Sequence, residues 1–108
     1  MILARVEDFK DGWFIGNFSP SILQSADFEV CLKTFRSGDK EPSHYQKSAT
    51  EVTVVVSGSC RMGSVHLSAG DILVLDAGEI SDFEAIEDCV IVCVKAPSLP
   101  DDKALADA

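Results

Sequence analysis

The stretch GDKEPSHYQKSATEVTVVVSG, residues 38–58, decides how the rest of the chain is read. It opens on Gly38, reaches His44 and then Gln46, and runs through Glu51 into a β-branched segment that ends at Gly58. Alternation along a strand points residues i and i+2 to the same side. His44 and Gln46 therefore share a face, with Tyr45 opposite, and Glu51, Thr53 and Val55 share a face after the intervening turn. Val52–Val56 is β-branched throughout, as strands favour. Two strands joined by a polar turn would let His44, Gln46 and Glu51 converge.

The same period of two extends outward from this stretch. DFEVCLKTF (27–35) alternates Phe28, Val30 and Leu32 with a wetter set, Glu29, Cys31 and Lys33. SVHLSAGDILVLDAGEI (64–80) reads as a short strand, a Gly-containing turn over Ser68–Asp71, and a second strand over Ile72–Leu75. DCVIVCVKAP (88–97) closes the series at Pro97, and GWFIGNF (12–18) is a short aromatic segment ended by Pro20. No stretch carries a helical period longer than two turns. Short strands at close spacing between Gly, Pro, Asp and Ser turns predict an all-β sandwich or barrel.

Two runs are apolar on both faces: Val52, Val54 and Val56 against Thr53 and Val55, and Val90, Val92 and Val94 against Ile91 and Cys93. A two-layer β domain buries one face of each sheet, so the second apolar face must meet something else. The economical partner is another copy of the chain, which predicts a homodimer through the outer face of one sheet.

Composition narrows the partners further. The 108 residues carry 18 acidic and 9 basic side chains, a formal charge of −9. Lys33, Arg36, Lys40 and Lys47 are interleaved with Asp39 and Glu41, so no basic patch opposes the overall sign. Nucleic acid and anionic membranes are poor partners for such a surface. Of the four cysteines, Cys31, Cys89 and Cys93 lie in apolar runs where a free thiol packs as a small hydrophobe; the fourth is Cys60, and no CxxC occurs. The start, MILARVEDFKDGW, has an apolar stretch too short and too interrupted by charge for a signal peptide. Reduced thiols and a cytoplasmic location are the expectation. Residues 1–97 are expected to form one domain, and SLPDDKALADA (98–108), which loses the alternation, a flexible tail.

The spacing of the opening stretch resembles the first motif of the cupin superfamily, G(X)5HXH(X)3-4E(X)6G. Gly38, His44, Glu51 and Gly58 occupy their positions, and Gln46 stands where the second histidine would be. The second cupin motif, G(X)5PXG(X)2H(X)3N, keeps its spacing and both glycines in Gly70, Asp76, Ala77, Gly78, Ser81 and Ala85, without its proline, histidine and asparagine. The resemblance covers residues 38–85 and implies a double-stranded β-helix, the jelly-roll barrel of the cupins.

In metal-binding cupins the resemblance implies a centre of three histidines and one glutamate. Position by position this chain offers His44, Gln46, Glu51 and Ser81. A neutral amide is a poor ligand and a serine hydroxyl a worse one, so no tightly held cofactor is expected. A weak divalent-metal site of His44, Gln46, Glu51 and waters is the alternative. The same set allows metal-free chemistry, with His44 as a general base beside Glu51 and Tyr45 as an acid if the strand twists its hydroxyl inward. Metal-free isomerase and epimerase cupins resemble this use of a histidine, though no basic cluster for a diphosphate is evident. A third possibility is a polar plug in the mouth of a structural or regulatory dimer. The expected pocket is His44, Tyr45, Gln46, Glu51 and Ser81, holding a small polar ligand. His66 reads as an edge or surface histidine. The acidic set Asp76, Glu79, Asp82 and Glu84 follows no calcium-loop spacing and reads as a solvated rim, with Asp76 serving a turn.

Overall fold

The computed structural model describes residues 1–106. Two short 3-10 turns, Val6–Asp8 and Lys10–Gly12, precede strands β1 (Trp13–Gly16), β2 (Leu23–Gln24), β3 (Glu29–Phe35) and β4 (Lys40–Gln46). They are followed by β5 (Thr50–Ser57), β6 (Ser59–Met62), β7 (Val65–Ser68) and β8 (Ile72–Leu75). The series ends with β9 (Ser81–Ala85), β10 (Cys89–Ala96) and β11 (Lys103–Leu105). The strands form a six-stranded sheet in the order β2-β1-β3-β10-β5-β8 and a five-stranded sheet in the order β11-β4-β9-β6-β7. Their inner faces close on one core, the double-stranded β-helix expected from the two motifs. No helix among the described residues is long and apolar enough to cross a membrane.

The barrel is divided along its axis. At one end Val55, Cys60, Met62, Leu67, Phe83, Ala85, Cys89 and Ile91 form a dry cluster. The rings of Phe35 and Phe83 meet there at 4.4 Å between centroids. All four cysteines are free and buried. In the dry cluster the Cys60 thiol is pushed up to about 11 by burial and by neighbouring Cys89. The inward positions at the other end of the same strands are polar: Glu51 and Thr53 on β5, Cys93 and Lys95 on β10, and His44 and Gln46 on β4.

Strand β3 departs from its expected orientation. The set Glu29, Cys31 and Lys33, read as the wetter face, looks into the barrel, and Val30 and Leu32 look out. The reason is register. β10 sits between β3 and β5, placing Cys93 between Cys31 and Thr53 and Lys95 between Glu29 and Glu51. The outward positions then line up as two apolar rows across four strands, Val30–Val94–Val52–Val74 and Leu32–Val92–Val54–Ile72. The rows end exposed at Val74 and Ile72.

Gly58 closes the turn from β5 to β6 at a φ of +76°, and a Cβ there would run into the Asp88 carbonyl. Only glycine meets both demands. Gly38 also has a positive φ, +91°, but over open space.

Residues 98–106, the described part of the segment expected to form a flexible tail, make specific contacts with the barrel. Ser98 is buried; its hydroxyl donates to Glu29 Oε1 (3.0 Å) and accepts from the Asn17 N–H (2.9 Å). Asp102 is buried as well, accepting the N–H groups of Ser48 (2.9 Å) and Ala49 (3.0 Å) on its two carboxylate oxygens. Its carbonyl accepts the Lys47 N–H at 2.9 Å, and β11 then adds to the edge of β4. A short acidic segment is thus ordered by backbone donors in the turn between β4 and β5. Residues 107–108 of the predicted tail lie outside the described residues. Replacing Asp102 by Ala strands the buried Ala49 N–H and frees that of exposed Ser48, and should cost about 1–3 kcal/mol. Hydrogen exchange of the Lys103–Leu105 amides, measured alongside the melt, should quicken before global unfolding; unchanged protection would show that β11 holds without the aspartate.

Candidate functional site

The polar end of the barrel encloses a cavity of about 130 Å³. His44, Glu51, Thr53, Cys31, Cys93 and Lys95 line its interior, and Trp13, Lys33, Glu41 and Lys103 stand at its mouth. Those four mouth residues also line a larger outer groove of about 730 Å³ formed with the Val6–Gly12 turns, so cavity and groove are continuous. Inner cavities of drug-sized ligand sites run to roughly 300–1,000 Å³. This one suits a ligand of a few heavy atoms.

His44 and Glu51 both face this cavity. His44 Nδ1 lies 2.9 Å from the Pro42 carbonyl oxygen, which can only accept. Nδ1 therefore carries the proton, and in the neutral ring Nε2 is left with its lone pair. Glu51 is buried and accepts a hydrogen bond from the Cys93 thiol, Sγ to Oε1 3.3 Å. Cys93 itself pairs with Cys31 across the ladder. Its thiol is pushed up by the hydrogen bond to Cys31, by burial and by the Glu51 carboxylate. The Cys31 thiol is drawn down by that same hydrogen bond and by the ammoniums of Lys33 and Lys95, against the effect of burial. The two thiols thus stand side by side on the cavity wall.

The other expected site residues are placed differently. Gln46 is 4% exposed, on the face of β4 that carries His44 but one step beyond the cavity lining. Its Nε2 is the one buried side-chain N or O among the described residues without a hydrogen-bond partner. Ser81 is buried opposite His44 in the β4–β9 ladder, and its hydroxyl donates to the Asp82 carbonyl at 2.8 Å. Tyr45 lies on the opposite face of β4, against Ala104 of β11, and does not line the cavity. The strand is regular there, so no twist brings its hydroxyl inward. His66 is exposed on edge strand β7. In the acidic set, Asp82 forms a two-pronged pair with Arg61 (2.9 and 3.0 Å), which holds its carboxyl below the usual range. Glu84 reaches Arg61 at 3.6 Å and Lys40 at 3.8 Å, and Asp76 closes a turn with Glu79. Asp82 and Glu84 thus brace the outside of the smaller sheet, and Asp76 and Glu79 the turn that leads into it.

Sequence reasoning missed the lysines. Lys33, Lys95 and Lys103 stand far apart in the chain, yet all three line the cavity. Trp13 organises two of them, with Lys95 Nζ 4.8 Å and Lys33 Nζ 5.7 Å from its ring centroid. The only early signal was the inward parity of Lys33 with Cys31 and of Lys95 with Cys93.

The donors do not fit the three-histidine and glutamate centre that the motif implies. One imidazole remains, Glu51 is engaged by a thiol, and Ser81 turns its proton to the backbone. Among the described residues no three His, Cys, Asp or Glu side chains are arranged around a common metal position. Metal analysis of untagged protein should give well under one equivalent, and excess Zn²⁺ or Fe²⁺ should leave the melt unmoved. A stoichiometric metal lost in His44→Ala would overturn that expectation.

No family model matches the sequence, and no curated protein matches it either. Solved structures do. An uncharacterised conserved protein with a double-stranded β-helix domain from Klebsiella pneumoniae shares 22% identity, covering 98% of this chain and 97% of that one, with a TM-score of 0.69. An RmlC-like cupin from Desulfovibrio desulfuricans shares 20% identity over 72% of this chain and 79% of its own, with a TM-score of 0.64. The DMSP lyase DddQ from Ruegeria pomeroyi shares 15% identity over 87% of this chain and 49% of its own, with a TM-score of 0.73. Enzymes and uncharacterised proteins thus share this architecture. With the two motifs and the two closed sheets, these likenesses establish that the chain has the double-stranded β-helix fold of the cupin superfamily.

Proposed function

We propose that the protein is a small-molecule-binding cupin that holds a small polar ligand at the polar end of its barrel, beside His44, Gln46 and Glu51, without a tightly bound metal. The enclosed cavity lined by His44, Glu51 and Thr53 carries this reading, and the unpartnered Gln46 amide one step beyond its lining supports it. A buried donor left unpaired costs about 1–3 kcal/mol, and a bound polar atom removes that cost. His44 Nε2 supplies an acceptor on the same wall and Thr53 a hydroxyl. Gln46→Leu removes the orphan donor at similar volume, so the ligand-free melt should rise. A ligand at 100 times its Kd stabilises by about 2.7 kcal/mol, and that shift should shrink in the variant. If Gln46→Leu instead lowers the ligand-free melt, the amide is already satisfied and the reading loses its support.

A catalytic variant of the same reading rests on one observation. The Pro42 carbonyl fixes the His44 tautomer and leaves Nε2 free to take a proton from a bound substrate. An isomerase or epimerase acting through His44 would lose turnover in His44→Gln while keeping ligand affinity. The lyase that shares the fold shows only that such barrels can house chemistry.

We also propose a homodimer through the outer face of the larger sheet. The rows Val30–Val94–Val52–Val74 and Leu32–Val92–Val54–Ile72 carry no charge. A continuous apolar face of this kind favours association. Val54→Lys, in the middle of the face, should convert a dimer mass in light scattering to a monomer mass with the fold retained by circular dichroism. A wild-type monomer at micromolar concentration would remove this proposal.

A further inference from the structure

The cavity contains three lysines and three glutamates, but their partnerships are unequal. Lys33 pairs with Glu41 at 3.5 Å. Glu29 accepts from the Ser98 hydroxyl, and Glu51 accepts from the Cys93 thiol. Lys95 and Lys103 form no ion pair among the described residues. Lys95 is the more telling of the two, because it is only 8% exposed and its ammonium rests over the Trp13 ring inside the barrel mouth. Register sets it between Glu29 and Glu51, yet neither carboxylate forms an ion pair with it. A buried charge is retained at a cost unless a counter-charge meets it. The indole face supplies part of that compensation. The remaining ammonium hydrogens point to an acceptor that the chain itself does not provide.

The other open donors lie nearby. Lys103 stands at the entrance, where the cavity joins the outer groove, and the Gln46 amide lies one step beyond the lining. Among the described residues the ammoniums of Lys95 and Lys103 thus lack an ion pair in a lining that also holds Glu29, Glu41 and Glu51, and the Gln46 amide lies unpaired beside it.

We propose that the ligand of this cavity is a small oxyanion, a short-chain carboxylate, held by the Lys95 ammonium at the Trp13 mouth. The proposal rests on the reading of the barrel as a ligand site and adds the chemical class. A carboxylate fits better than a diphosphate, because the cavity is small and holds no arginine fork. Selection would come from charge-assisted hydrogen bonds, and replacing the carboxylate by a neutral amide forfeits them.

Trp13 is the single tryptophan, so its emission reports directly on the mouth. Titration of the full chain with glycolate and with malonate should change Trp13 emission saturably. Glycolamide and malonamide should bind at least about tenfold more weakly, as expected for loss of a charged hydrogen bond. Lys95→Met should abolish the preference for acid over amide, whereas Lys47→Met, on an exposed position outside the cavity, should keep it. Inorganic phosphate serves as a competing arm; binding tighter than either carboxylate would move the assignment to phosphate and overturn the carboxylate. Equal binding of acids and amides would overturn the anion inference while leaving the cavity a ligand site. If neither class binds, both readings fall. A purely structural ammonium over Trp13 would show as a lowered melt in Lys95→Met with its acid and amide affinities unchanged from wild type, which also overturns the proposal.

Discussion

The register of β10 between β3 and β5 is the constraint on which the rest depends. It places Lys95 between Glu29 and Glu51, Cys93 between Cys31 and Thr53, and Ile91 between Lys33 and Val55. Each step along the barrel axis is therefore a cross-strand row, charged at Lys95, thiol and hydroxyl at Cys93, and apolar at Ile91 and Val55 with Lys33 beside them. A slip of β10 by one residue would turn Ile91, Cys93 and Lys95 outward and bring Val90, Val92 and Val94 inside, removing the β10 wall of the cavity.

The same grading separates stability from function. The dry end, from Ile91 to the Phe35–Phe83 pair, buries the apolar surface that drives folding. The polar end contributes little of that surface and leaves the Gln46 amide unpaired and the Lys95 ammonium without an ion pair. Natural folds tolerate such local costs where a site is built and offset them elsewhere. Ser98 and Asp102 belong to that support. Ser98 anchors Glu29 at the mouth, and Asp102 fixes the turn between the strands that bring in His44 and Glu51.

The degenerate motif also gains a physical meaning. Its glycine positions keep the turns that close the barrel, as Gly58 shows by its close approach to Asp88. Its ligand positions have diverged into a different donor set. With a glutamine and a serine in place of two imidazoles, the barrel end offers a donor set unlike the three-histidine centre, and three lysines line it.

By itself the sequence determined the fold class, the positions of most strands, and that His44 and Glu51 face one side of the barrel. Alternation and motif spacing are local properties, legible wherever a strand is regular. Short strands were harder to read: β9 has one large inward apolar side chain, Phe83, among small and acidic neighbours. The inward face of β3 was misread because polarity suggested solvent, whereas that face looks into a polar cavity. The tertiary structure alone decided the gathering of Lys33, Lys95 and Lys103 around Trp13, the anchoring of residues 98–105, and the isolation of the Gln46 amide. Each depends on contacts between residues distant in the chain, and no local pattern of residues encodes which of them will meet.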